Sequence, residues 1–142
     1  MSEHLSASTL NVWNFLGNKV IKMVEEFPED KYSFRPTPEQ RTFPEQVLHL
    51  IAVQDRYLQM AGGSPSPRPE AEGITREKLL AAIKDSVEAG AKWIEEEGGK
   101  GMLEKGDLWV EVINHSSEHY GQMVFYFRLN GLVPPISRPG QR

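Results

Sequence analysis

Apolar residues recur every three or four positions along four stretches of the chain and alternate nowhere, a pattern that predicts four amphipathic helices and no strand. In the first stretch, from about Ser6 to Phe27, Leu10, Trp13, Leu16, Val20, Val24 and Phe27 form the apolar stripe. Ser6 or Ser8 is placed to cap its start, and the Phe27-Pro28 step ends it. A second helix is expected from about Phe43 to Met60, burying Val47, Leu48, Ile51 and Leu58. Thr42 and Glu45 spell a capping box at its start, Pro44 fits the first turn, and Gly62-Gly63 stops it. The third, from about Arg76 to Glu97, has Thr75 as its cap, Ile74 and Leu79 as a hydrophobic staple, and Gly98-Gly99 beyond its end. The fourth is expected from about Leu108 to Asn130, with Lys100 to Gly106 as a link before it, Asp107 as its cap and Gly131 as its stop.

Two connections are long. Pro28 to Arg41 carries three prolines and reads as extended, so Tyr32 and Phe34 are expected to pack back on the helices and anchor it. Ala61 to Gly73 is rich in Gly, Ser and Pro and is the segment expected to be most mobile. There is no internal repeat, so residues 1–142 are expected to form one all-α domain, a four-helix bundle.

Composition narrows the chemistry. The chain has 142 residues, no cysteine and a formal net charge of -4. Disulfides, thiolate metal sites and a protein thiol nucleophile are therefore excluded, and histidine and carboxylate remain as the strong metal ligands. The mixed, net acidic charge argues against a nucleic-acid partner. No stretch approaches the length of a membrane span and Met1 to Leu10 lacks the features of a signal peptide, so a cytoplasmic protein with no membrane partner is expected.

Three of the four histidines fall inside predicted helices. His115 and His119 are four residues apart, rotated by about 40° and separated by about 6 Å along the axis, so both rings project from one face. Val112, Gln122 and Tyr126 share that stripe, which turns the pair inward. His49 lies at a comparable depth on the second helix. Three neutral imidazoles leaving a fourth position open is a recurring catalytic zinc arrangement, and nickel or iron accepts the same donors. The string His115-Ser116-Ser117-Glu118-His119 also spells an inverted zinc-protease motif. That reading lacks its downstream acidic ligand, because the 23 residues after His119 contain no aspartate or glutamate.

The succession Tyr32-Ser33-Phe34-Arg35-Pro36-Thr37-Pro38-Glu39, Thr42-Phe43-Pro44-Glu45-Gln46-Val47-Leu48-His49, Val112-Ile113-Asn114-His115-Ser116-Ser117-Glu118-His119-Tyr120-Gly121-Gln122 and Phe127-Arg128-Leu129-Asn130-Gly131 resembles the DinB/YfiT-like superfamily of four-helix bundles. The resemblance implies a divalent metal ion, zinc or nickel, held by His49, His115 and His119. It also implies a small-molecule substrate, a homodimer, and an S-transferase or hydrolase-like activity in which a low-molecular-weight thiol is cosubstrate. A stress-response, dimerisation or ligand-binding module without catalysis is the alternative. Glu118, Tyr120, Gln122 and Arg56 are the candidates for orienting substrate or moving a proton. The sequence departs from the family where many members have His-His-Arg-Gly-Gln and this chain has Glu118-His119-Tyr120-Gly121-Gln122.

Overall fold

The computed structural model describes the backbone of residues 2–97 and 100–141 and the side chains of residues 7–96 and 107–141. Four helices carry the fold: α1 (Ser2–Glu26), α2 (Phe43–Met60), α3 (Arg76–Glu97) and α4 (Lys100–Leu129). Short 3-10 turns at Glu29–Lys31 and Pro135–Ser137 punctuate the first connection and the tail. No strand occurs among the described residues.

Two helix starts differ from expectation. α1 begins at Ser2, so Ser6 and Ser8 lie inside it rather than capping it. α4 begins at Lys100, which places the expected link and Asp107 within the helix. Glu3, Leu5 and Ala7 in the first case, and Met102, Leu103, Glu104 and Lys105 in the second, are good helix formers with no proline among them, so helix propagates past the polar residue read as a cap. The expected Gly98-Gly99 stop lies outside the described residues. The ends of α2 and α4 follow the sequence closely. Gly62 and Gly131 adopt φ of 97° and 72°. The amides of Gly63 and Leu132 then return to the carbonyls of Leu58 and Phe127, the reversal that glycine permits after the last helical turn.

Side-chain contacts fix the order of the helices. Trp13 meets Trp109 and Phe27 meets Phe127, so α1 and α4 run parallel. Gln46 meets His119 and Tyr57 meets Glu111, so α2 runs against α4. Trp13 bonds Val87 and Arg76 bonds the Phe27 carbonyl, so α3 runs against α1. Around the bundle the order is α1, α3, α2, α4, with α1 and α2 across the diagonal. The Gly/Ser/Pro-rich connection is thus a crossover. It must return the chain along α2, a helix of 18 residues or about 27 Å, before α3 starts at the same end. Asp55 of α2, buried, takes a hydrogen bond from the Ser66 backbone and tethers this crossover.

The first connection is anchored as expected. Tyr32 stacks near Phe27 and Phe43, and Phe34 meets the edge of Tyr126. Arg35 forks onto the Glu45 carboxylate with two 2.8 Å bonds. Glu45 in turn accepts from the Thr42 amide at 2.8 Å while Thr42 Oγ1 accepts from the Glu45 amide at 3.3 Å, completing the capping box. The Arg35 hydrogen bond, and then the Thr42 amide, hold the Glu45 carboxyl below its ordinary range. Thr75 caps α3 through the Lys78 amide, and Glu29 accepts from the Arg76 amide at 2.7 Å.

α1 and α3 approach closely at two glycines. A Cβ on Gly90 would lie 2.2 Å from Cζ2 of Trp13, and one on Gly17 would lie 2.6 Å from Cγ1 of Val87. The indole cannot move aside, since its Nε1 donates to the Val87 carbonyl at 2.8 Å and its ring packs on Trp109. Gly90→Ala is therefore expected to destabilise the bundle by about 1–3 kcal/mol, although alanine is the better helix former. Urea denaturation measures it; an unchanged or raised midpoint would contradict the packing.

Candidate metal centre

The capping box sets where α2 begins, and His49 follows two turns later on the face turned to α4. On α4, the four-residue spacing brings His115 and His119 up against it. The ring centroids are 4.2 Å apart for His115 and His119, 4.8 Å for His49 and His119, and 5.4 Å for His49 and His115. One nitrogen from each ring falls in a set whose members all lie within 4.8 Å of one another. His119 is 7% exposed, while His49 and His115 are half-buried and leave the cluster open on one side.

A chain of hydrogen bonds orients the most buried ring. Nε2 of Gln46 donates to Nδ1 of His119 at 2.6 Å and also to the side-chain oxygen of Gln122. With the amide in this orientation Nδ1 of His119 accepts, and in that tautomer its proton lies on Nε2, facing Nε2 of His115, 2.9 Å away. A proton here occupies the gap between two inward nitrogens. Metal–imidazole bonds of 2.0–2.1 Å in a tetrahedral site separate neighbouring nitrogens by roughly 3.3 Å, close to this spacing. The donor set fits a divalent ion. With His119 Nε2 given to a metal, Nδ1 carries the proton, and the amides of Gln46 and Gln122 serve it by turning over together. In the same tautomer His115 accepts at Nε2 and needs no such change, since its Nδ1, buried and without a partner among the described residues, carries the proton.

The electrostatics favour neutral rings. Burial, then the neighbouring His115, His49 and Arg41, push His119 down to about 4 from 6.5. His49 is lowered by burial, Arg41 and His115. His115 is lowered chiefly by burial, against the opposing charge of Glu118. Neutral imidazole is the form that ligates.

A model of the DinB superfamily matches residues 15–123 of the sequence. The chain belongs to the DinB superfamily. No curated protein and no solved structure matches it. The helical bundle is thus that of a DinB protein, and the cluster of His49, His115 and His119 is compatible with metal binding.

Of the other expected residues, two stand beside the three histidines and two do not. Glu118, exposed, accepts from Asn114 at 3.3 Å and bears on His115. Gln122 is tied to His119 through Gln46. Tyr120 turns toward α1, where the Lys19 ammonium lies 4.2 Å from its ring centroid over a groove shared with Phe15 and Ile136. Arg56 is exposed two turns beyond His49, beside Arg68 of the crossover. Sequence reasoning missed Gln46, whose buried amide occupies a helix position that usually holds an apolar residue. It also missed the thread from Ser86 Oγ to Gln54 at 2.8 Å and from Gln54 to Ser116 at 3.3 Å, which joins α3, α2 and α4.

The lowered histidines make stability depend on pH in a definite sense. Above 6.5 both folded and unfolded chains hold neutral rings; between 6.5 and about 4 the unfolded chain takes up protons that the folded cluster refuses. Metal-free protein is therefore expected to be most stable above pH 6.5 and to lose stability as pH falls toward 4. Asp55, raised by burial, acts in the opposite direction at the acid end. Denaturant midpoints at pH 7.5 and 5.5 test this: the midpoint should be lower at 5.5, and the gap should shrink in His119→Gln.

Proposed function

We propose that this DinB protein is a divalent-metal-dependent enzyme of the cytoplasm in which His49, His115 and His119 hold zinc or nickel. The observation that carries the reading is the convergence of three neutral imidazoles, with the most buried of them oriented by the Gln46–Gln122 amide pair. When bound, such an ion supplies the Lewis acidity that lowers the pKa of a thiol or water and provides a nucleophile near neutral pH. Because the chain has no cysteine, a thiol nucleophile comes from a low-molecular-weight cosubstrate, which makes S-transfer to a small electrophile the leading activity and hydrolysis the other.

The side chains divide the remaining work. Gln46 and Gln122 keep the His119 ring in position. Glu118, solvent-accessible and close enough to bear on His115, takes the proton released by the nucleophile. The half-buried side of His49 and His115 admits substrate. Exposed Phe15, Phe125, Leu129 and Val133 supply apolar surface for a homodimer.

The test uses metal-loaded protein with an aromatic electrophile and a panel of small thiols, alongside an ester without thiol. Thiol consumption coupled to arylation marks a transferase, and ester turnover without thiol marks a hydrolase. Native turnover no greater than that of His49→Ala in both assays would overturn the enzyme reading.

A further inference from the structure

The first connection carries two arginines in contrasting circumstances. Arg35 is consumed by the Glu45 carboxylate and the Gln40 carbonyl. Arg41 is not. Its backbone oxygen accepts from the Tyr126 hydroxyl, which pins the residue to α4 just before the cap of α2. Among the described residues nothing accepts from its guanidinium: Glu39, two residues before it, makes no ion pair with it, and Glu45, four residues on, is already engaged by Arg35 and Thr42.

The pinning point sets where that charge falls. Tyr126 lies seven residues beyond His119 on one stripe of α4, about 10 Å along the helix, and His49 lies eight residues beyond Arg41. An arginine side chain extends about 7 Å, long enough from this anchor to reach toward the open side of the cluster. Burial is the largest cause lowering the pKa of all three imidazoles, and the Arg41 charge lowers each further. A cation beside a cation site weakens metal binding, and a bundle held by apolar stripes needs no such charge there. The arrangement makes sense for an anion. Three neutral imidazoles, a divalent ion and Arg41 leave the centre electropositive, with Glu118 offsetting one charge, in a protein whose net charge is -4.

We propose that Arg41 is a specificity-determining residue that grips a carboxylate of the substrate or thiol cosubstrate while the substrate's reacting atom lies at the three-histidine centre. This rests on the metal reading above. Planar guanidinium matches a carboxylate with two parallel hydrogen bonds, which lysine cannot reproduce.

The experiment uses the full chain loaded with cobalt(II), whose absorption reports thiolate binding. Mercaptoacetate, 3-mercaptopropionate and mercaptosuccinate are titrated against uncharged 2-mercaptoethanol, in native protein, Arg41→Met and Arg41→Lys. Native protein is expected to bind at least one carboxylated thiol about ten- to a hundredfold more tightly than mercaptoethanol. Arg41→Met should lose that preference while keeping its cobalt stoichiometry and its affinity for mercaptoethanol, and Arg41→Lys should recover only part of it. Equal affinities for charged and uncharged thiols in native protein, or a preference that survives in Arg41→Met, would overturn the assignment of Arg41 with the metal centre left standing. Failure of native protein to take up cobalt would overturn the metal reading and this one with it.

Discussion

Alanine at position 119 is expected to lower metal affinity by well over the 10–100-fold that loss of an outer partner to a metal ligand costs, because it removes a ligand outright. His119 is chosen above His49 and His115 for three reasons. It is the most buried of the three, its Nε2 lies 2.9 Å from that of His115, and Gln46 fixes its ring. The helices should persist, since the core is built from apolar side chains that the change leaves in place. Metal per chain after dialysis, measured by mass spectrometry beside far-ultraviolet circular dichroism, gives the result: native protein should retain about one equivalent and His119→Ala essentially none at unchanged helicity. A full equivalent in the variant would place the metal elsewhere. Gln46→Leu is a graded companion. It removes the amide that orients the ring and should cost about 10–100-fold in affinity without abolishing binding.

The elements of this fold that read from the sequence are those encoded locally. The capping box of Thr42 and Glu45, the reversals at Gly62 and Gly131 and the apolar stripes each depend on residues within a turn or two of one another. The inward pair His115 and His119 belongs to the same class, because helix periodicity alone sets their common face. What did not read is what depends on which helix comes next to which. A crossover rich in Gly, Ser and Pro looks the same whether it joins antiparallel neighbours or carries the chain back to start a parallel one. Tyr120 sits about 100° around α4 from His119, so its surroundings follow from the placement of α1 against that face, which periodicity cannot supply. Gln46, Gln54 and Ser86 are polar residues inside buried stripes, and their partners lie 32 to 76 residues away. Gly17 and Gly90 are spaced like ordinary helix residues until α1 and α3 are brought together. Arg41 resembles Arg35 in sequence, and only the fork on Glu45 separates them.

The largest loss of stability is expected from Phe43→Ala. Phe43 is the first residue of α2, wholly buried, and the centre of an aromatic cluster where the first connection crosses the end of the bundle. Its ring stacks on Phe27 with centroids 4.0 Å apart, and Tyr32, Tyr126 and Phe127 surround it at 6.2 to 6.3 Å. Residues from α2, α4 and the segment following α1 thus meet on one side chain, and rigid rings on every side leave little scope for the void to collapse. Loss of a core phenylalanine costs about 3–5 kcal/mol, a large part of the roughly 5–15 kcal/mol that holds a domain folded. For a chain of this size that corresponds to a drop of roughly 10–20 °C in Tm. Phe43→Leu, which fills more of the volume, should lose distinctly less. The cluster also bears on the metal centre, because Tyr126 packs on Phe43 and donates to the Arg41 carbonyl, so it sets the end of α2 from which His49 is placed. Phe43→Ala should therefore bind metal more weakly even at temperatures where it remains folded, whereas Gly90→Ala, whose strain lies at Trp13, should lose stability with metal affinity intact. Equal metal affinity in the two variants at matched folded fraction would show that the aromatic cluster stabilises the bundle without positioning the site.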